Sequence, residues 1–405
     1  MFKEYYYRKH KKALLKLVII ILILPLILPS GITTIFPDSV TITSATGIIV
    51  CLIFGIFYSP NTLIHLLCNK TFLLITFFWG VLSFSAIINN SGDLIDILKC
   101  YFLVFLLCFS FYICIRKNAI NIFFDSYSLA MSIFIAIGLI TIICFPNGIA
   151  KVSSTAIDGY VSYSNVNLFG HKNYYPFQII PYISITLLNR DWFGKKTVLG
   201  VSSIVWCMIG SVEIVLAGSS TGILALIIFW GIYYVAKSSK KIVYIFINVR
   251  TFFLVYVALF ISFVILNNIG GVVSQIAIIL GKSANFTGRT AIWGKAIDLI
   301  KKHLFLGYGK SAVIASSGYY WYAHNLILDI LIVGGLLALI AFVILIIYCF
   351  QNLNRNYVDI DASLWGWLAA FTLISLDESI VRNALFLYFL LFVWRYRLKF
   401  KEVGI

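Results

Sequence analysis

Runs of apolar residues long enough to cross a lipid bilayer recur along the chain from Leu14 to Trp394. A membrane-spanning α-helix needs about 20 predominantly apolar residues. The composition agrees, because 61% of the residues are hydrophobic and 11% are charged, against about 45–50% and about a quarter in a soluble domain. These runs predict a polytopic membrane protein with residues 1–405 in a single integral membrane domain. They exclude a soluble enzyme, a disordered scaffold and a disulfide-stapled secreted module.

The lengths of the apolar runs predict an all-α fold with about 12 transmembrane helices. The predicted spans are 14–30, 40–58, 71–88, 94–115, 121–145, 174–188, 197–216, 219–236, 244–266, 323–350, 362–376 and 380–398.

The distribution of basic residues gives the orientation of these helices. The chain has 31 Lys and Arg residues and a formal net charge of +16. With the N-terminus in the cytoplasm, most of them fall in inner segments, whereas the short outer loops hold only Lys151 and Lys172. The positive-inside rule therefore predicts that both termini are cytoplasmic. The basic excess reflects orientation and contact with anionic membrane lipids, so no nucleic-acid partner is expected.

Neither cysteines nor acids are spaced for a metal site. The 8 cysteines lie in or beside predicted spans, and no pair has metal-ligand spacing. The outward-facing acids are scattered and lack an Asp-x-Asp pattern. They are Asp158, Asp298, Asp377 and Glu378.

Two predicted outer segments are longer than a simple connection requires, which is typical of functional or disordered loops. Segment 146–173 ends in Phe-Gly-His171-Lys172-Asn173, and segment 267–322 is the longest region between two spans.

The longer segment contains a helical pattern. Ile292, Ala296 and Ile300 recur at i, i+4 and i+8, and Trp293 widens the apolar stripe. This pattern predicts a basic amphipathic helix that lies on the outer membrane surface and holds Arg289 near the lipid headgroups.

A dense aromatic patch, Tyr319, Tyr320, Trp321 and Tyr322, follows at the predicted membrane boundary. One interpretation is the aromatic belt that is common at membrane interfaces. The other is a stacking platform for sugar rings, since flat aromatic faces with a polar tip suit amphipathic ligands.

His324 and Asn325 open the next span. A histidine at a helix N-terminus lies at the positive end of the helix dipole, which favours the neutral imidazole that can act as a general base. The alternative is a histidine that only hydrogen-bonds at the interface. Asp329, Glu213 and Arg250 are ionisable groups at or near membrane depth, so each is a candidate functional residue or a member of a structural ion pair.

Short motifs occur in a defined order around the long outer loop. An arginine and a tryptophan begin the loop, a Gly-x-Gly follows, a His-Asn pair opens the next span, and a glycine pair lies within that span. They are Arg289 and Trp293, Gly307-Tyr308-Gly309, His324-Asn325 and Gly334-Gly335. In this order and on this side of the membrane, they resemble the bacterial O-antigen polymerase and O-antigen ligase superfamily.

The resemblance implies a GT-C-like membrane glycosyltransferase in the bacterial cytoplasmic (inner) membrane, with its active site facing outward. A sugar hydroxyl attacks the anomeric carbon of a donor oligosaccharide linked to undecaprenyl diphosphate, and the diphosphate leaves. His324 is then the candidate base and Arg289 the candidate ligand of the leaving group, because a planar guanidinium makes two parallel hydrogen bonds to phosphate. The scheme requires no metal or other cofactor.

The remaining candidate substrate contacts are less closely tied to a motif. Lys172 and His171 are candidate diphosphate contacts, although a solvated loop cation explains Lys172 equally well. Asn325 and the aromatic patch are candidate contacts to sugars.

One part of the chain departs from the family pattern. Family members often carry a Ser-Arg at an outer turn before the long loop, whereas residues 216–222 here read Leu-Ala-Gly-Ser-Ser-Thr-Gly. A phosphate-contacting cation is therefore missing, and Lys172 or Arg289 is expected to replace it.

Three functions are compatible with these features: a polymerase that joins lipid-linked repeat units into O-antigen or capsular polysaccharide, a ligase that transfers the chain to a lipid A core in lipopolysaccharide, and a polysaccharide flippase or other transporter. A transporter should show internal repeats and broken helices, and no convincing repeat is present. The polymerase is favoured by the start of the long loop, the His-Lys-Asn segment and the absent Ser-Arg. Chain-length regulator and flippase proteins are its candidate partners.

Overall fold

The computed structural model describes residues 2–155, 161–239, 247, 249–265, 289–310, 312–316, 319–350, 362–378, 390–391 and 393–395. Most of these residues are helical. The helices are α1 (Phe2–Ile27), α2 (Ser30–Ile35), α3 (Ser39–Ile53), α4 (Pro60–Leu67), α5 (Lys70–Ile88), α6 (Leu94–Arg116), α7 (Ile120–Cys144), α8 (Tyr175–Phe193), α9 (Ser203–Leu216), α10 (Ser220–Ser238), α11 (Val249–Phe260), α12 (Arg289–Lys302), α13 (Leu326–Phe350) and α14 (Ala362–Asp377).

Short elements complete the described fold. Turns of π-helix follow α3 (Phe54–Tyr58) and α11 (Ile261–Ile265), and a 3₁₀ turn precedes α8 (Lys172–Tyr174). Three antiparallel hairpins are formed by β1 (Ala150–Thr155) with β2 (Val161–Val166), β3 (Thr197–Val198) with β4 (Val201–Ser202), and β5 (Ile314–Ser316) with β6 (Tyr319–Trp321).

The described helices confirm a multi-pass membrane protein. Six of them are long and apolar enough to span a bilayer: α3 with the first part of its π-helical turn, α5, α6, α7, α10 and α13. Shorter apolar helices lie at Ser203–Leu216, Val249–Phe260 and Ala362–Leu376. Each of these helices overlaps a span that the sequence predicts, whereas the predicted span 380–398 falls largely outside the described residues.

One predicted boundary is wrong. The span expected at 197–216 begins as a helix only at Ser203, because the β3–β4 hairpin occupies its first residues. Leu199 (φ 52°) and Gly200 (φ 79°) form the two-residue turn. Positive φ at both positions matches the twist of antiparallel strands.

The helices pack so that several helix ends and turns meet at one place. α14 packs against α8 and α10, and α8 also packs against α9. As a result, the end of α14, the 3₁₀ turn before α8 and the turn between α9 and α10 come together.

The amphipathic helix exists, but its surroundings differ from the prediction. Ile292, Trp293, Ala296 and Ile300 of α12 are all buried. They form an apolar cluster with residues of α13, β5 and the π-helical turn after α11. The stripe therefore packs on protein rather than on lipid, since a periodic pattern specifies a buried face but not what covers it.

α13 is broken within its candidate membrane span. Gly335 has φ 67° and ψ −164°, which no helical residue adopts. The backbone N–H groups of Leu336 and Leu337 donate to the carbonyls of Leu304 and Phe305, at 2.8 and 3.3 Å. The carbonyls of the segment after α12 thus accept hydrogen bonds from backbone N–H groups that the break in α13 would otherwise leave unpaired in an apolar environment.

The two glycine motifs meet at this break. The N–H groups of Tyr308 and Gly309 donate to the carbonyls of Ile332 and Val333, at 2.7 and 3.0 Å. A Cβ on Gly307 would lie 2.5 Å from the Ile332 carbonyl oxygen, so the close approach requires glycine.

Polar side chains of α5 and its C-terminal cap complete the junction. The hydroxyl of Ser85 lies 2.5 and 2.9 Å from the carbonyl oxygens of Leu306 and Val333, which share its one proton, and Asn89 donates to the carbonyl of Gly307, at 3.1 Å.

Candidate functional site

The carboxylate of Glu378, the residue after α14, joins the two residues for which the sequence predicts catalytic roles. Its side chain is 3% exposed. Nη2 of Arg289 donates to its Oε1 at 2.8 Å, and Nδ1 of His324 lies 3.3 Å from its Oε2. The start of α12 and the start of α13 therefore converge on the end of α14.

Two further side chains donate to the same carboxylate. Nδ2 of Asn173 lies 2.7 Å from Oε1, and the hydroxyl of Tyr322 lies 3.4 Å from Oε2. The Tyr322 ring also lies against the His324 ring, with 4.1 Å between centroids. We call Asn173, Arg289, Tyr322, His324 and Glu378 the Glu378 cluster.

Glu378 is the fixed negative charge of the cluster. Burial alone would raise the pKa of its carboxyl group, but the hydrogen bond from His324 and the charge of Arg289 outweigh it and lower the pKa to about 2. The carboxylate is therefore ionised at neutral pH. Burial and the nearby carboxylate raise the pKa of Tyr322, so its hydroxyl keeps the proton that it donates.

Arg289 is buried and paired at the start of α12. Its side chain is 11% exposed and ion-paired with Glu378, and its expected position near the lipid headgroups stays a prediction. The pairing is possible because α12 packs on α13, which directs the start of α12 toward the end of α14.

The backbone around His324 is shaped by the start of α13. His324 has φ 47°, in the left-handed region that residues with side chains rarely adopt. Asn325 caps the helix by accepting from the N–H of Leu328 at 3.1 Å, and it donates to the carbonyl of Leu376 at 3.1 Å. Asn325 is completely buried, and these contacts tie α13 to α14. The prediction that it binds substrate stays a prediction.

Segment 146–173, which ends at Asn173, places two basic residues beside the Glu378 cluster. Lys172 is exposed in the 3₁₀ turn. His171 precedes it, and its Nδ1 accepts from the N–H of Asn173 at 3.5 Å. Burial lowers the pKa of His171, the charge of Lys172 lowers it further, and Glu378 partly opposes the shift. His171 is therefore neutral at pH 7.

The turn that lacks the family's arginine lies beside the same segment. Ser219 caps α10 by accepting from the N–H of Gly222 at 3.1 Å. Its hydroxyl also lies 3.4 Å from Oδ1 of Asn173. The turn at 216–222 therefore reaches the cluster through Asn173.

The other predicted residues are placed as follows. The backbone of Tyr319, Tyr320 and Trp321 forms β6, but their side chains fall outside the described part of the structure. Asp329 is completely buried in the first turn of α13. Glu213 is completely buried in α9, beside Gly138 of α7, and Arg250 is exposed on α11.

Two members of the Glu378 cluster, Asn173 and Glu378, are not predicted as site residues by the sequence. Glu378 is one of several scattered acids, and Asn173 is the end of a predicted loop. Their position beside predicted outer helix ends is the feature of the sequence that could have indicated a role in the site. Neither position has a spacing rule that relates it to Arg289 or His324.

The cluster has the parts needed for proton transfer beside an anion. It combines an imidazole held by a carboxylate, an arginine and a nearby lysine. Among the described residues, no group of three or more His, Cys, Asp and Glu side chains is arranged to hold a metal ion.

Comparison with protein families matches residues 204–343 to the O-antigen ligase family. This stretch is similar to the members of that family. The match confirms the resemblance that the motifs indicate, and it includes Arg289 and His324 but not Asn173 or Glu378. The apolar helices identify a multi-pass membrane protein, and the matched stretch is similar to a family of O-antigen-related polysaccharide processing. No curated protein and no solved structure matches the chain significantly.

Proposed function

We propose that this protein polymerises lipid-linked oligosaccharide repeat units into O-antigen or capsular polysaccharide at the outer face of the cytoplasmic membrane. The observation that carries the proposal is the convergence of Arg289 and His324, both within the matched family stretch, on one buried carboxylate. A base beside a cation is the arrangement that glycosyl transfer from a diphosphate needs.

In the proposed reaction, the hydroxyl oxygen of an acceptor sugar attacks the anomeric carbon of the donor oligosaccharide. His324 takes the hydroxyl proton as the new C–O bond forms. The bond between the anomeric carbon and the diphosphate oxygen breaks, and its electron pair leaves with undecaprenyl diphosphate. The products are the lengthened glycan and the lipid diphosphate.

Arg289 has the complementary role. Negative charge accumulates on the departing diphosphate in the transition state, so a cation placed in advance lowers the barrier. Lys172 is exposed at the edge of the Glu378 cluster and supplies the second positive charge that the turn at 216–222 lacks. The scheme uses no metal.

The sugar contacts follow from the same geometry. The Tyr322 ring lies against His324, so a sugar whose hydroxyl reaches His324 also reaches an aromatic ring. The backbone of Tyr319, Tyr320 and Trp321 forms β6 directly before Tyr322, and these residues are the proposed remainder of a sugar-stacking platform.

An O-antigen ligase is the second candidate, because the matching family carries that name. It would perform the same transfer with a lipid A core as acceptor. The polymerase is favoured because the turn at 216–222 lacks the arginine of the ligase pattern and instead contacts Asn173, the end of the His-Lys-Asn segment. Among the described helices, the break in α13 is a transporter-like feature, but residues 304–309 of the chain itself make hydrogen bonds with its backbone.

Surface polysaccharide from a deletion strain tests the proposal. Electrophoresis should show single repeat units attached to the core, because extension is lost while ligation continues. Wild-type chain lengths should return with the intact gene but not with a His324→Ala gene expressed at the same level. Unattached long chains in the deletion strain would identify a ligase, and an unchanged profile would contradict both enzymes.

A further inference from the structure

We propose that Glu378 is a positioning residue of the transfer reaction: its carboxylate holds His324 in the tautomer whose Nε2 accepts the acceptor's proton, and it fixes the guanidinium of Arg289 toward the leaving diphosphate. This inference rests on the proposed function. It concerns a residue that lies outside the stretch matched by the family and that no motif identifies.

The contacts of Glu378 show why it does not react itself. An ionised carboxylate offers about four acceptor positions. Arg289 and Asn173 occupy Oε1, while His324 and Tyr322 occupy Oε2. A general base must also accept a hydrogen bond from the hydroxyl that it deprotonates, and these donors leave no acceptor position for a sugar.

The same contacts show that the carboxylate stays in place when substrate binds. The whole Glu378 residue is 2% exposed, and a buried charge without its partners strongly destabilises the folded protein. A diphosphate that replaced Glu378 on Arg289 would strand this charge. The Nη2 contact therefore sets the orientation of the planar guanidinium before the diphosphate arrives.

The contact with His324 selects a tautomer. A carboxylate only accepts hydrogen bonds, so Nδ1 must carry the proton to make the 3.3 Å contact with Oε2. The lone pair of the neutral imidazole is then on Nε2. When the acceptor's proton arrives at Nε2, the imidazolium lies against a negative charge, as in other enzymes that pair a catalytic histidine with a carboxylate.

The substitution Glu378→Gln reverses this arrangement without removing volume. The amide has one oxygen and one NH₂ group in place of two oxygens. Its oxygen faces the charged Arg289, which leaves the NH₂ group facing Nδ1 of His324. An NH₂ group donates, so Nδ1 must accept and the proton moves to Nε2.

The experiment measures the tautomer and the kinetics on the full-length protein in lipid nanodiscs. The chain has 5 histidines, so ¹⁵N-histidine labelling gives few signals, and the His324→Gln protein assigns His324. At a pH where the imidazole is neutral, we expect the Nδ1–H tautomer in the wild type and the Nε2–H tautomer in Glu378→Gln. The kcat for a purified undecaprenyl diphosphate-linked repeat unit should fall about 10²–10⁴-fold, with little change in its KM.

Asp298→Asn is the matched control, because Asp298 is an outward-facing acid of α12 with 71% of its side chain exposed. It should keep both the wild-type kcat and the wild-type tautomer. Glu378→Asp keeps the charge but shortens the side chain, so it should retain more activity than Glu378→Gln.

An Nε2–H tautomer in the wild type, or a Glu378→Gln protein with wild-type kcat, would overturn the positioning role. If Glu378→Gln does not fold, the wild-type tautomer still decides the question. A wild-type protein that does not consume the lipid-linked donor would contradict the proposed function, whereas the tautomer of His324 would still test the inference about Glu378.

Discussion

Replacement of Arg289 should separate its contribution to stability from its contribution to catalysis. The guanidinium is 11% exposed and makes a 2.8 Å ion pair with Glu378. Arg289→Ala leaves that buried carboxylate without its cation, and breaking a buried pair from one side costs about 3–5 kcal/mol. Arg289→Lys keeps a positive charge and disturbs the geometry of the charged hydrogen bond to Glu378, which costs about 1.5–3 kcal/mol.

The catalytic effects should not follow this order. An ammonium group lacks the planar fork that holds both Glu378 and a phosphate oxygen. Turnover should therefore fall by about 10²–10³-fold in both variants, the usual loss when one donor to a developing charge is removed. The two variants should differ clearly in thermal stability but little in activity.

The assay compares melting temperature in detergent, turnover of purified lipid-linked repeat and polysaccharide length, at matched expression. Lys301→Ala is the control, since Lys301 is a basic residue of α12 with 72% of its side chain exposed and should affect none of the three. Full activity in Arg289→Lys would refute the diphosphate role and move that contact to Lys172. An unchanged melting temperature in Arg289→Ala would refute the buried ion pair.

Three further substitutions test the base, the carboxylate and the broken helix. His324→Ala should lower the rate of chain extension about 10²–10⁴-fold while inserted protein remains abundant, and wild-type chain lengths on a gel would contradict the assignment of the base. Because the pKa of Glu378 is about 2, below the ordinary 4.5, its ionised form should make the wild type more stable than Glu378→Gln by about 3 kcal/mol. This advantage should be complete above pH 4.5 and be lost as the pH falls toward 2, and a melting-temperature difference independent of pH would contradict it. Gly335→Ala should cost at least about 1–3 kcal/mol, because φ is positive and the new Cβ would collide with Phe305. The control Gly80→Ala meets no atom within 4 Å and should change the melting temperature little, and equal melting temperatures for the two variants would contradict the clash.

The membrane helices could be predicted from sequence because each apolar run carries its own signal. Burial in lipid requires about 20 apolar residues whatever the partners are, so α5, α6 and α7 begin and end within a few residues of the prediction. The predicted span at 197–216 includes residues 197–202, which form a hairpin instead of a helix because of the local turn geometry. There Leu199 adopts a positive φ, a conformation that composition does not signal for leucine.

The candidate site could be predicted only in part. Arg289 and His324 carry motif signals on either side of one loop, so both could be identified before their contact was known. Glu378 lies 54 positions from His324, and a lone acid at a helix end has no pattern that distinguishes it from a solvated one. Its role depends on the packing of α14 against the elements before it, which is long-range information.

The same limit applies to the glycine motifs and to α12. Gly307 and Gly335 could be recognised as sites of unusual backbone, but not as partners of each other. The apolar stripe on α12 indicates which face of the helix is buried. Which residues pack on that face depends on the tertiary structure.

The hydrogen bonds between residues 304–309 and 332–337 limit where this part of the chain can change in length. They clamp the chain after α12 onto α13, so the spacing between Arg289 and His324 is set by this ladder and by the α12–α13 contact. An insertion or deletion within either segment would shift the register of these hydrogen bonds and move Arg289 relative to His324.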